Sequence, residues 1–78
     1  MITIQFFAAL KDYFEEIEEW PLHNLTISEL KDKLAIEKPA AIPVLNTCRF
    51  AVNLIFVNDN YLINDNETIS IIPPAGGG

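Results

Sequence analysis

The first seven residues, Met1-Ile-Thr-Ile-Gln-Phe-Phe7, alternate, with Ile2, Ile4 and Phe6 on one side and Thr3, Gln5 and Phe7 on the other. A period of two predicts a strand buried on one face, and Phe7, apolar on the polar side, becomes a candidate contact. Leu10, Tyr13 and Phe14 then fall at helical spacing within Ala8–Phe14, a stretch long enough for one or two turns that need a sheet to pack on. Glu15–Leu22 reads as an acidic second strand holding Ile17, Trp20 and Leu22, and Pro21 assigns it to an edge. Its four glutamates fit a solvated edge that resists pairing with other sheets, with a docking patch as the alternative.

Thr26 followed three residues later by Glu29 is a capping-box signature, so the main helix is expected over 27–36, its apolar stripe formed by Ile27, Leu30 and Leu34 with the stem of Lys31 beside it. Glu29 is therefore a cap rather than a general base, and His23 is a turn residue. Pro39 and Pro43 forbid a long helix over 37–46 but allow a short turn that lays Ile42, Val44 and Leu45 on the core. Arg49–Asn53 and Leu54–Val57 are β-rich, Asn58–Asn60 is a turn, Tyr61–Ile63 a short strand, and Asn64–Asn66 another turn. Glu67–Ile72 closes the body as a strand with Ile69 and Ile71 inward and Thr68, Ser70 and Ile72 outward.

The order strand, strand, helix, then strands predicts an α+β fold: a mixed sheet with one main helix across one face. The first and last strands, the most apolar, are expected side by side at its centre. This is the β-grasp architecture, ubiquitin-like. Its face away from the helix would carry Phe7 and Ile72 with some of Ala51, Asn53 and Ile55.

At 78 residues the chain has room for one core, and with half its residues apolar it can fill that core without disulfides or metal. The lone Cys48 reads as a small packed residue, and a cytoplasmic location is expected because no leader or long apolar run stands at either end. A net charge of −6 repels phosphate backbones and anionic lipid, so neither nucleic acid nor a membrane is an expected partner. A basic surface or pocket on another protein fits the sign.

The chemistry is expected at the end of the chain. Ile71-Ile72 runs into Pro73-Pro74, which lack the N–H that would extend a sheet, and then into Ala75-Gly76-Gly77-Gly78. The division is a body over 1–74 and a tail over 75–78. A tail without Cβ atoms can thread a narrow channel and present its carboxylate to another protein's active site. Read alone, three terminal glycines also fit an expression scar or a frayed end. No catalytic constellation, metal-ligand spacing or phosphate loop accompanies them.

Four segments together resemble the small subunit of molybdopterin synthase, the MoaD-type sulfur carriers of the MoaD/ThiS family. They are Phe6-Phe7-Ala8 with Leu10; Thr26-x-x-Glu29-Leu30; Ala51-Val52-Asn53; and Asp65 to Gly78, ending in Pro-Pro-x-x-Gly-Gly. The resemblance departs where the usual Asp-Gly-Asp turn appears as Asp65-Asn66-Glu67, and where Gly76 stands in place of another small residue. It implies a chain that is no enzyme by itself and binds no cofactor or metal. An ATP-dependent activating enzyme (MoeB-type) would adenylate the Gly78 carboxylate, and sulfur would then replace AMP to give a thiocarboxylate. The large synthase subunit (MoaE-type), in a heterotetramer, would receive the tail and pass the sulfur to cyclic pyranopterin monophosphate in molybdenum cofactor biosynthesis. Gly76 and Gly77 would give clearance in the partner's active site, and Phe7, Ile72, Pro73 and Pro74 would meet the partner. A carrier for thiamine thiazole, cysteine or tRNA thiolation, and a β-grasp interaction module with an inert tail, remain alternatives.

Overall fold

The computed structural model describes residues 1–74; the expected tail at 75–78, with Gly76, Gly77 and Gly78, lies outside the described residues. Strand β1 is Ile2–Phe6, β2 Ile17–Trp20, β3 Leu25–Thr26, β4 Arg49–Val52, β5 Ile55–Val57, β6 Leu62–Ile63 and β7 Thr68–Ile72. Helix α1 spans Ile27–Glu37, and α2 is the single turn Ile42–Leu45. Short 3-10 turns at Ala8–Asp12 and Pro39–Ala41 complete the body.

Five strands form one sheet in the order β2-β1-β7-β4-β5, with β1 and β7 parallel at its heart and every other neighbour antiparallel. The two strands with the cleanest apolar alternation are thus paired, because only a central position covers both of their edges. Ile2, Ile4 and Phe6 of β1 and Ile69 and Ile71 of β7 are fully buried, facing Ile27, Leu30 and Leu34 of α1. The expected ubiquitin-like β-grasp, a mixed sheet with a helix across one face, is the architecture found.

Helix α1 begins where the capping box places it. Thr26 Oγ1 accepts from the Glu29 N–H at 3.1 Å, and Glu29 Oε1 accepts from the Thr26 N–H at 2.8 Å. It ends before Pro39: Lys38, pushed out of the helical region by the following proline, has φ −136° and ψ 81°. The first 3-10 turn is pinned by Phe14, whose ring stacks on Phe6 with centroids 4.3 Å apart and planes 8° from parallel.

Three expectations change. The strand expected to run through Phe7 stops at Phe6; Phe7 caps the 3-10 turn, and Ala8 takes a positive φ of 53° to redirect the chain. The expected Glu15–Leu22 strand contracts to Ile17–Trp20, since Glu18 is used to order its approach: its carboxylate accepts from the Glu15 N–H and the Trp20 Nε1–H, each at 2.9 Å. Arg49 to Val57 is a tight hairpin turning on Asn53 and Leu54, with φ of 51° and 66°. Two consecutive positive φ values between strands are what a type I′ turn requires. A second sheet, β3 paired with β6, was not foreseen; two residues a side carry no readable periodicity.

Candidate docking face and tail root

The register fixes which side chains share the face away from α1. One lateral row crosses all five strands as Ile17, Gln5, Ser70, Ala51 and Phe56. The next row toward the end of β7 pairs Ile72 with Arg49. Ile72 is half-buried, Ala51 buried, Phe56 and Arg49 exposed. The other end of the face carries Thr3, Glu19 and Thr68, so its apolar character is concentrated beside the C-terminal end of β7.

Of the residues expected to meet a partner, Ile72 stands on this face at the last position of β7, followed by half-buried Pro73 and exposed Pro74. The prolines follow a central strand flanked by β1 and β4, so they stand at the middle of the sheet's end rather than at a corner. Phe7 is 37% exposed, and its extended backbone (φ −118°, ψ 154°) continues the alternation from Phe6 toward the open-face side. Gly76, Gly77 and Gly78 lie outside the described residues.

Two of the expected open-face residues are elsewhere. Ile55 pairs with Val52 in the row of Ile4 and Ile69, which is the helix side, and Asn53 forms the turn. A two-residue turn preserves the side of its flanking pair, so Phe56 takes the place beside Ala51 that was expected of Ile55. Asn53, tolerant of the left-handed region, was the available signal.

Arg49 was also missed. Its guanidinium carbon lies 3.7 Å from the Phe56 ring centroid, a cation–π stack that holds a positive charge beside the end of β7 in an acidic chain. Behind it an open cleft of about 410 Å³ is lined by Lys31, Cys48, Asn58 and Asp59, among others. Lys31 Nζ is bonded to Asp59 Oδ1 at 2.7 Å and sits 5.2 Å above the Phe50 ring. Burial pushes the Cys48 thiol above its ordinary pKa, partly opposed by the charge of Lys31, and its S–H donates to the Val44 carbonyl at 3.2 Å. A protonated, hydrogen-bonded thiol is a packing group, not a nucleophile. No metal-ligand cluster and no helix long and apolar enough to cross a membrane is found among the described residues.

Against solved structures, the fold matches SAMP1 from Haloferax volcanii at a TM-score of 0.80 and 16% identity, covering 99% of this chain and 98% of that one. It matches a putative molybdopterin converting factor, subunit 1, from Pyrococcus furiosus at 0.83 and 15%, covering 95% and 97%. At 28% identity and a TM-score of 0.72, covering 99% and 97%, it is similar to a chain in the complex of subunits 1 and 2 of molybdopterin-converting factor from Helicobacter pylori. The ThiS family model matches residues 4–78, the body and the glycine terminus together. The chain belongs to the ThiS family, ubiquitin-like β-grasp proteins of the sulfur-carrier type.

Proposed function

We propose that this chain is the sulfur-carrying small subunit of a molybdopterin synthase, with a body over 1–74 and a functional tail over 75–78. The observation that carries the reading is the join between them: a central strand ends at Ile72 beside an apolar face, and the sequence runs on through Pro73-Pro74 to three glycines. The resemblance to the Helicobacter pylori complex of subunits 1 and 2 favours molybdopterin over the other carrier pathways.

The Gly78 carboxylate is a poor electrophile because loss of oxide is prohibitive. Transfer of AMP from ATP by an activating enzyme, with release of pyrophosphate, makes a leaving group; a sulfide-level sulfur nucleophile then attacks the carbonyl carbon and expels AMP, leaving a thiocarboxylate. The chain itself supplies no acid or base; its task is to bind and to present. Ile72, Phe7 and the two prolines engage the large subunit, while Gly76 and Gly77 leave the tail narrow enough for the partner's active site. Ordering Gly76, Gly77 and Gly78 costs roughly 3–6 kcal/mol at about 1–2 kcal/mol each, so contacts on the body must offset it.

Deleting Gly78 should leave the melting temperature unchanged and abolish both adenylation and molybdopterin formation; retained activity sinks the carrier mechanism. Gly77→Val should fold normally and fail in adenylation. Intact-mass measurement of protein from its native host should show oxygen-for-sulfur exchange at the C-terminus, and affinity capture should recover a synthase large subunit. Recovery of a thiazole synthase instead would move the chain to that pathway.

A further inference from the structure

Among the described residues that the strand register places on the face away from α1, Arg49 is the one cation and Glu19 the one carboxylate. Glu19 lies at the opposite end of that face, on β2, three strand spacings from β4 or roughly 14 Å at about 4.8 Å each. The ion pairs among the described residues join Lys11 to Glu16, Lys31 to Asp59 and the N-terminal amine to Asp65, so none takes up Arg49. The guanidinium is instead laid on the Phe56 ring, its carbon 3.7 Å from the centroid. Stacking occupies one flat side of the group and leaves its N–H edge to donate, in the fork that matches the two oxygens of a carboxylate.

Position decides whether that edge stays in water. Arg49 pairs with Ile72, the last residue of β7. Six residues, 73–78, follow Ile72, and fully extended they span at most about 22 Å at about 3.3–3.6 Å each. Part of that reach is spent inside any protein that takes the Gly78 carboxylate into its active site. Such a protein must therefore bring its surface to the end of β7, over Ile72 and over the residue across the ladder from it. Covering removes water from the guanidinium. A charge stripped of water and left without a counter-ion is strongly unfavourable, and the described part of this chain has no carboxylate to offer there.

We infer, resting on the carrier reading above, that the synthase large subunit presents an aspartate or glutamate to Arg49, and that this pair, seated on Phe56, sets the register in which the two subunits dock. The pairing runs against the chain's overall sign. A net charge of −6 draws a basic surface, but a surface basic throughout would meet Arg49 with repulsion. One acidic group within a basic surround is satisfied in a single alignment of the two chains and mismatched in the others, so the pair contributes specificity more than affinity. Phe56 holds the guanidinium in place before contact, which reduces the side-chain freedom lost on docking.

Titration calorimetry of the full chain with a synthase large subunit from the same host tests this, because the expected change is opposite in sign to the effect of bulk charge. Arg49→Gln makes the chain one unit more negative, which by itself would tighten binding to a basic surface. It should instead weaken binding about tenfold, and Arg49→Glu, which sets like charges together, at least about a hundredfold, both with the circular dichroism of the folded chain kept. Lys33→Gln, on α1 behind the sheet, makes the same change of net charge and should leave the affinity within about twofold. Equal or tighter binding by both Arg49 variants, or an equal loss in Lys33→Gln, overturns the pairing and leaves the carrier reading in place. Absence of binding by the unaltered chain overturns both.

Discussion

Arg49 stands directly across the β4–β7 ladder from Ile72, and its guanidinium carbon lies 3.7 Å from the Phe56 ring centroid. The stack orients the charge beside the last residue of β7, without burying it. An exposed cation–π contact is worth about 0.5–1 kcal/mol, so Arg49→Ala should lower the melting temperature by about 2–8 °C, given about 4–8 °C per kcal/mol in a domain of this size. If Arg49 belongs to the docking face, the same variant should weaken binding to a synthase large subunit by about tenfold, some 1.4 kcal/mol, in calorimetry. Unchanged affinity would remove Arg49 from the interface and leave its role purely structural.

Thr26 and Glu29 cap α1 reciprocally, and α1 supplies the helical half of the core. Thr26→Ala removes the hydroxyl that accepts from the Glu29 N–H and should cost about 1 kcal/mol in denaturant unfolding, with no change in the slope against denaturant. Thr26→Ser keeps the acceptor and should recover most of the loss. Equal losses for both variants would show that the methyl group, not the cap, carries the effect.

The parts of the fold legible in the sequence are those where one periodicity runs long enough to declare itself. Ile2, Ile4 and Phe6 mark β1, Ile69 and Ile71 mark β7, and Ile27, Leu30 and Leu34 mark α1 behind an unmistakable cap. The β4–β5 hairpin was not legible in detail because Arg49 to Val57 is β-prone throughout, and the turn is made by Asn53 with a leucine in place of the usual glycine. That one displaced turn moved Ile55 to the helix side and hid Phe56, and with it the seat of Arg49. Ile72 and the prolines were readable at the tail root because two residues without N–H groups end a strand wherever they fall. The glycines carry no side chain from which structure could be read; their reading rests on chemistry and on the family match.

Cys48 offers a pH test. Burial raises its thiol above the ordinary value, with Lys31 opposing in part, so the native state holds the proton more tightly than the unfolded chain. Stability attached to this group is present below the unfolded thiol's pKa, about 8.5, and is lost as pH rises toward the higher native value. Alkylation of the native protein by iodoacetamide at pH 8 should be at least tenfold slower than in denaturant, since the thiolate is the reacting species and the S–H is held by the Val44 carbonyl. Cys48→Ala should flatten the alkaline fall in stability and leave sulfur loading at Gly78 intact; loss of loading would instead give the thiol a part in the transfer.

Leu54 makes the opposite kind of claim, that a substitution should improve the fold. Its φ of 66° follows 51° at Asn53, the combination that Asn-Gly satisfies best, and at 98% exposure its side chain contributes nothing to the core. A non-glycine residue in the left-handed region costs on the order of 1 kcal/mol, from which the greater backbone freedom of glycine in the unfolded chain must be subtracted. Leu54→Gly should therefore stabilise the chain by about 0.5 kcal/mol, or a few degrees in melting temperature. Leu54→Val, β-branched at the same backbone angles, should destabilise it. The pair separates backbone strain from side-chain hydrophobicity: if glycine and valine both destabilise, the exposed leucine is making a contact that the hairpin needs, and the argument from strain fails.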